Sequence, residues 1–175
     1  YEFIHSESER LSRLIDNILQ LSSLNRQQNN VKLQYTELTV LADIIRSKIS
    51  SMLENSGFEL VINYNVNDPE KTCLLVDLDA FSQVIINITD NAIKFFDENI
   101  IKDDSRKKID VTFSAHPTNT NSVMLEIRDY GIGIDPIQEN KIFELFYRGG
   151  NELTRSTQGT GIGLALVSEL VNIQQ

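Results

Sequence analysis

Apolar and polar positions repeat with two different periods along this chain, and the first period predicts a long helix. Residues 2–28 carry an apolar stripe at a/d heptad spacing, formed by Leu11, Leu14, Ile18 and Leu21, with charged residues on the opposite face. Because this stripe is too apolar for an isolated helix, we expect it to pack in a bundle with a partner helix or a second chain. The alternative is a helix that folds back onto its own domain.

The rest of the chain predicts strands and helices in mixed order. Alternation with period two marks strands at residues 31–35, 58–64, 72–76, 109–115 and 123–128. Helical periodicity marks two helices that begin after Thr36 and Asp77, with these two residues as N-caps. A short helix is predicted over residues 136–146, and a last helix is opened by the cluster of residues 159–164 and runs to about Ile173. The last two strands can pair as a hairpin, and regular βαβ alternation is missing. The pattern therefore predicts an α+β fold, a two-layer sandwich in which helices cover a mixed β-sheet.

Composition narrows the classes of function. The chain has 175 residues, 41% of them hydrophobic, and a formal net charge of −9. We expect no binding to nucleic acid, which needs a basic surface, and any phosphate site must be a local exception to the acidic balance. His5 and His116 lack partners at metal-ligand spacing, so zinc is not expected. The single cysteine, Cys73, lies in an apolar run and is predicted to be a small core residue.

A row of polar side chains interrupts the most apolar predicted helix. Asn87, Asn91 and Lys94 are four and three residues apart, which places them on one helical face within the run from Val84 to Phe95. An asparagine amide oxygen can ligate Mg²⁺, and a lysine ammonium can bind a phosphate. The alternative is an ordinary helix with a solvated polar stripe.

Two glycine clusters follow. The first, Asp129-Tyr130-Gly131-Ile132-Gly133, comes at the end of a predicted strand, where Asp129 could accept a hydrogen bond from an exocyclic amine such as that of adenine. A simple turn capped by an aspartate explains this cluster equally well. The second, Gly159-Thr160-Gly161-Ile162-Gly163-Leu164, opens the last helix and offers N–H groups suited to phosphate. It is no Walker loop, since no Lys-Ser/Thr follows, and it is a poor dinucleotide fingerprint, since no strand precedes it.

Four motifs in order resemble those of sensor histidine kinases of two-component systems. They are Asn87-x-x-x-Asn91-Ala92-x-Lys94, Asp129-x-Gly131-x-Gly133, Phe143-x-x-Phe146-Tyr147-Arg148 and Gly159-x-Gly161-x-Gly163-Leu164. The resemblance implies that residues 31–175 form a catalytic ATP-binding domain with the Bergerat fold of gyrase, Hsp90, histidine kinase and MutL-type ATPases. Residues 1–30 would be the second helix of a dimerisation and phosphoacceptor bundle. The chain ends at Gln175, where the family continues with Gly-Gly and two closing strands.

The resemblance also implies roles for individual residues. Asp129 would bind the adenine amine, Gly131 and Gly133 would let the backbone pass under the base, and Phe95 stands where an aromatic ring often stacks on adenine. Asn87 and Asn91 would hold Mg²⁺. The phosphates would be bound by Lys94, by Arg148 and by the backbone of Gly159, Gly161 and Gly163. Other nucleotide-binding residues would be Tyr147, Thr160 and Leu164, and residues 134–158 would form a mobile lid.

The implied activity is transfer of the γ-phosphoryl group of Mg-ATP to a histidine, with Asn87, Lys94 and Arg148 as the catalytic set. His5 is followed by Ser-Glu-Ser-Glu and does not match the phosphoacceptor motif, so the acceptor is expected upstream of Tyr1. Expected partners of the full protein are a second copy, through the bundle helix, and a response regulator receiver domain. We expect a cytoplasmic location, with the full protein attached to the inner face of the membrane. A related ATPase or serine kinase, or a non-catalytic nucleotide-binding scaffold, are the alternatives.

Overall fold

The computed structural model describes residues 31–119, 121–148 and 160–174, together with Ser8, Leu11, Ser12 and Ile15. These four isolated residues are helical and exposed, and the rest of the helix predicted over residues 2–28 lies outside the described residues. The chain divides into two compact units, Lys32–Gly133 and the combination of Tyr1–Val31 with Ile134–Gln175. No helix among the described residues is long and apolar enough to cross a membrane.

The Lys32–Gly133 unit contains five strands, two long helices and one turn of 3₁₀ helix. In chain order these are β1 (Gln34–Glu37), α1 (Leu38–Ser56), β2 (Glu59–Asn65), β3 (Cys73–Val76), α2 (Leu78–Lys94), the 3₁₀ helix (Asp104–Arg106), β4 (Lys108–Ala115) and β5 (Val123–Asp129).

The strands form two sheets. β1 pairs antiparallel with β3, whereas β2, β4 and β5 form a three-stranded sheet in that order. β4 is parallel to β2 and antiparallel to β5, so this sheet is mixed. The predicted α+β sandwich and the predicted pairing of the last two strands are both confirmed.

The core lies between the helices and one face of the three-stranded sheet. Alternate residues of β4, Ile109, Val111 and Phe113, are buried and belong to one apolar cluster with Ile45 of α1 and Ile85 of α2. The ring of Phe113 also stacks on Tyr64 of β2, with 5.8 Å between ring centroids. Burial of each such side chain contributes about 1.5–3 kcal/mol, so this cluster holds α2 against the sheet.

The predicted N-cap of α2 is confirmed, and a glycine ends α1. Asp77 caps α2, and its Oδ1 accepts hydrogen bonds from the N–H groups of Asp79 and Ala80, both at 3.0 Å. Gly57 ends α1 with a φ of +70°, a left-handed conformation that costs glycine little.

The predicted start of α1 was wrong by one residue. Thr36 is not the N-cap but a buried residue of β1, a strand that begins at Gln34 rather than at Val31. Glu37 occupies the cap position without a side-chain hydrogen bond, and the N–H of Leu38 donates instead to the carbonyl of Thr72 at 3.0 Å. A backbone contact between distant segments thus replaces the local cap, which a sequence pattern cannot show. Cys73 was also assigned wrongly, because it is exposed on β3.

In the other unit, the described residues form a series of turns and one helix, α3 (Gly163–Asn172). The short helix predicted over residues 136–146 is not present. The N–H groups of Lys141 and Glu144 donate to carbonyls three residues earlier, as separate turns do, and Asp135 Oδ1 accepts from the N–H of Ile137. Phe146 then has a φ of +65°, which no α-helix contains.

Candidate functional site

The polar row on α2 is confirmed as one helical face. Asn87, Asn91 and Lys94 all lie in α2 and are all half-buried. Asn87 Nδ2 donates to the carbonyl of Gln83 at 2.9 Å, which holds the amide along the helix and leaves its Oδ1 outside this hydrogen bond. The ammonium of Lys94 forms an ion pair with Asp90, one turn earlier.

The loop after β5 is folded around Gly131. Asp129 Oδ1 accepts a hydrogen bond from the N–H of Gly131 at 2.8 Å, and the carbonyl of Gly131 accepts one from Arg106 Nη2 at 3.0 Å. A Cβ atom at position 131 would lie 2.9 Å from Asp129 Oδ1, so a side chain there would force this carboxylate to move. Gly133 has a φ of +79°, in the region that favours glycine.

The C-terminal end of α2 adjoins this loop. Phe95 is the C-cap residue of α2, and its carbonyl oxygen lies 3.8 Å from the place where a Cβ on Gly131 would stand. The side chain of Phe95 is 53% exposed, although it follows a helix whose other aromatic residue, Phe81, is buried. The structure therefore places the C-terminal end of the helix that carries the asparagine motif beside the first glycine motif, which lies 35 residues or more away in sequence.

The donors on α2 fit a magnesium ion bound together with a phosphate ligand. Asn87 and Asn91 offer amide oxygens, the hard ligands that Mg²⁺ accepts. The described part of the chain contains no group of three or more histidine, cysteine, aspartate or glutamate side chains that could hold a metal ion by itself. An ion held here would take its remaining ligands from water and from the bound nucleotide.

In the second unit, the phenylalanine and second glycine motifs contact each other through their backbones. The N–H of Phe146 donates to the carbonyl of Gly161 at 2.8 Å, and a Cβ on Gly161 would lie 2.8–2.9 Å from the backbone of Phe146 and Tyr147. Tyr147 and Arg148 follow directly and are half-buried. The two motifs are thus held together at the ends of the segment between them.

The start of α3 presents backbone donors without a side-chain cap. Ile162 occupies the N-cap position and makes no side-chain hydrogen bond, whereas Asp77 caps α2 twice. Gly163 and Leu164 form the first helical positions, where N–H groups have no partner within the helix. Thr160 and Gly161 precede them and are half-buried, and Gly159 lies outside the described residues.

The comparison with protein families agrees with this architecture. Residues 76–175, more than half of the chain, match the family described as histidine kinase-, DNA gyrase B- and HSP90-like ATPases. The chain therefore belongs to this family of ATPases. The predicted resemblance to the ATP-binding domain of sensor histidine kinases is confirmed.

Individual relatives are similar to this chain in sequence, and solved structures are similar to it in fold. The chain is 30% identical to Drug sensory protein A of Synechocystis sp. over 97% of its own length and 29% identical to Sensor histidine kinase WalK of Bacillus subtilis over 95%. It spans about a quarter of the length of these curated relatives. Full-length ShkA, solved in complex with AMPPNP, superposes with a TM-score of 0.71 at 24% identity over 95% of this chain and 32% of ShkA. Histidine kinase ThkA, solved in complex with the response regulator TrrA, gives 0.59 at 19% identity over 83% of this chain and 39% of ThkA.

Two residues of the site escaped the sequence analysis. Arg106 lies in the charged segment between α2 and β4, and nothing in the sequence links it to Gly131, 25 residues away. The sequence analysis gave Asp90, within the asparagine motif, no role. Its spacing of four residues from Lys94 was a usable signal, because residues at i and i+4 are neighbours on a helix.

Proposed function

We propose that this chain binds Mg-ATP and, within a longer protein, donates the γ-phosphoryl group to a histidine on an upstream helix of a two-component signalling kinase. The observation that carries the proposal is the meeting of the α2 terminus with the Asp129–Gly133 loop. There a carboxylate, bare glycine backbone and the exposed Phe95 ring adjoin the helix that carries Asn87, Asn91 and Lys94.

The adenine end of the proposed site belongs to Asp129 and its loop. Asp129 Oδ1 is engaged by the N–H of Gly131, so Oδ2 is the oxygen available to accept from an exocyclic amine. A base with a carbonyl in place of that amine would place two acceptors, the carboxylate and the carbonyl, against each other without a hydrogen bond. Such a base should therefore bind much more weakly than adenine. The Phe95 ring, exposed beside the same loop, would cover one face of the base.

The phosphate end of the proposed site belongs to polar groups on α2. Asn87 and Asn91 would hold Mg²⁺, which neutralises phosphate charge when it is bound. Lys94 would add a cation at the phosphates, because its ammonium has three donors and the ion pair with Asp90 uses only one side of it.

The phenylalanine and second glycine motifs carry phosphate-binding groups of their own. The N–H groups at Gly163 and Leu164, at the uncapped start of α3, are suited to an anion, and the resemblance to the family assigns the same role to Gly159, Thr160 and Gly161. Tyr147 and Arg148 would contribute a hydroxyl and a guanidinium, and Arg148 would contact the terminal phosphate. Phosphoryl transfer depends mainly on such positioning and charge neutralisation.

The proposed partners of the full protein follow from its relatives. ThkA has been solved with a response regulator, so we infer that a receiver domain accepts the phosphoryl group from the histidine. We also infer a homodimer through the helix within residues 1–30, and attachment of the full protein to the inner face of the membrane.

Calorimetric titration tests the proposal. The chain is titrated with ATP, ADP, GTP and NAD, each with and without Mg²⁺, beside the variant Asp129→Asn, in which one carboxylate oxygen is replaced by a donor. We expect adenine nucleotides to bind in preference to GTP, Mg²⁺ to strengthen ATP binding, and Asp129→Asn to lose the preference for adenine. Equal affinity for ATP and GTP in the wild-type chain would contradict the assignment of Asp129. Adenine binding that never leads to phosphorylation of an upstream histidine, when that helix is supplied, would favour a scaffold instead.

A further inference from the structure

Residues 97–107, between α2 and β4, form an ordered loop. Ile101 is buried, and its N–H donates to the carbonyl of Asp97 at 2.8 Å. Asp103 Oδ1 accepts from the N–H of Ser105 at 3.0 Å and from its hydroxyl at 2.6 Å, which caps the 3₁₀ helix. The pKa of Asp103 is lowered, first because the Ser105 hydroxyl donates to it and also because the Ser105 N–H does.

Ion pairs complete this loop. Lys107 Nζ lies 2.8 Å from Glu98 and 3.7 Å from Asp104, and the hydrogen bond to Glu98 is the main reason that the pKa of Lys107 is raised. These contacts are all local to the segment. None of these contacts involves a residue of the Asp129–Gly133 loop.

Arg106, at the end of the 3₁₀ helix, makes a side-chain contact outside this segment. Its Nη2 donates to the carbonyl of Gly131 at 3.0 Å, while the N–H of the same glycine donates to Asp129 Oδ1 at 2.8 Å. Both backbone groups of Gly131 are therefore held by charged side chains of opposite sign. A hydrogen bond to a charged group is stronger than one between neutral groups, so each fixes the peptide orientation firmly.

We propose that Arg106 is a positioning residue for the adenine site: by fixing the carbonyl of Gly131, it keeps Asp129 oriented to accept from the amine of the base. This inference rests on the proposed function. It assigns to the loop of residues 97–107 a part in base selection that its sequence does not reveal. The contact of the Arg106 guanidinium is with the carbonyl of Gly131, so the effect that we propose on the ligand passes through Gly131 and Asp129.

Comparison of ATP with inosine triphosphate tests this role. Inosine triphosphate carries a carbonyl where adenine has its amine, and its neighbouring ring nitrogen N1 donates instead of accepting, so the ratio of the two affinities reports recognition of this edge of the base, which includes the Asp129 contact. In Arg106→Met, which keeps an apolar stem of similar length but has no donor, we expect ATP to bind about tenfold more weakly, as loss of a hydrogen bond from a charged group implies. Inosine triphosphate should lose much less, so the affinity ratio falls. Arg106→Lys, which keeps a charged donor, should restore part of the ratio.

The control is Lys107→Met, which removes the ion pairs of the same segment without touching Gly131 and should leave the ratio unchanged. An unchanged ratio in Arg106→Met, or equal losses for both nucleotides with a lower melting temperature, would overturn the positioning role. If Arg106→Met fails to fold, Arg106→Gln is measured in the same way and read by the same criteria. Failure of the proposed function is seen separately, because the wild-type chain would then show no preference for ATP over inosine triphosphate.

Discussion

At the scale of single residues, Asn87 occupies the position with the clearest chemical consequence. The resemblance to the family implies that this asparagine stands where related ATPases carry a glutamate that activates water. An amide cannot accept the proton of water in this way. Asn87 Nδ2 also donates one of its hydrogens to the carbonyl of Gln83, which holds the side chain along α2 with its oxygen outside this hydrogen bond. We infer that Asn87 keeps hydrolysis slow, so that the phosphoryl group is preserved for histidine.

The variant Asn87→Glu tests this inference. General-base catalysis contributes about 10²–10⁴-fold, so even a poorly aligned glutamate should raise ATP hydrolysis on the order of tenfold. Phosphate release is measured at saturating Mg-ATP, after titration has shown that the variant still binds ATP. Asn87→Gln is the matched control, because it has the length of glutamate but remains an amide. Unchanged hydrolysis in Asn87→Glu with intact binding would refute the idea.

Gly161 is the residue whose substitution should cost the most among the motif glycines that the structure describes. Its φ is +71°, and a Cβ there would collide with the backbone of Phe146 and Tyr147, which cannot move aside as a side chain could. Gly133 has a similar φ of +79° but nothing within 4 Å of the Cβ position. A substitution at Gly133 therefore tests conformational strain alone, whereas a substitution at Gly161 tests strain together with steric collision.

We expect Gly133→Ala to cost about 1–2 kcal/mol, the penalty of a left-handed conformation. Gly161→Ala should cost about 1–3 kcal/mol more, the usual range for overpacking. Melting temperatures give the overall effect, and hydrogen exchange at the Phe146 N–H reports the local contact. Equal melting temperatures, with that N–H still protected in Gly161→Ala, would show that the contact does not constrain position 161.

At the scale of elements, α2 connects folding to the proposed site. Its buried face packs in the core, its polar face carries Asn87 and Asn91, and its N-terminus is fixed by Asp77. Asp77 Oδ1 accepts two N–H groups of the first turn, and its Oδ2 accepts the N–H of Lys32 at 2.8 Å. One side chain thus joins the start of α2 to the chain that leads into β1.

Asp77→Ala should lower the free energy of unfolding by about 2 kcal/mol, the upper part of the range for an N-cap, because the bond to Lys32 is lost as well. Asp77→Asn keeps an oxygen that can cap the helix and should retain most of the stability. Denaturant unfolding measures both variants. If the asparagine variant were as unstable as the alanine variant, the negative charge rather than the cap would be responsible.

The elements also show what the sequence could and could not predict. The central helix, its Asp77 cap and the β4–β5 hairpin were predicted because each depends on contacts close in sequence. The cap at Thr36 was wrong because Leu38 is satisfied by Thr72, a contact between segments that no local pattern encodes. The helix predicted over residues 136–146 was wrong. Apolar residues recur there at helical spacing, but the backbone hydrogen bonds form separate turns, which this spacing does not reveal. Arg106 was missed for the same reason as the Thr72 contact.

At the scale of the whole molecule, the family match and the described geometry support one account. Residues 76–175 match the ATPase family, and the Lys32–Gly133 unit brings the α2 terminus to the glycine loop. The opposite face of the three-stranded sheet is different in character. There the cross-strand pair Thr112 and Glu126 presents polar groups away from the helix-covered core, and no part of the proposed site lies on it.

The central claim is that the nucleotide binds beside Asp129. Its most direct test is a titration of the ¹⁵N-labelled chain with Mg-ATP, in which the NMR chemical shifts of the backbone amides are measured at each step. The account predicts large changes at Asn91, Lys94, Gly131 and Gly133, and none at Thr112 or Glu126, with GTP giving weak changes at the same amides. Changes centred on the outer sheet face, or none at Gly131 when ATP is bound, would contradict the placement of the nucleotide beside Asp129.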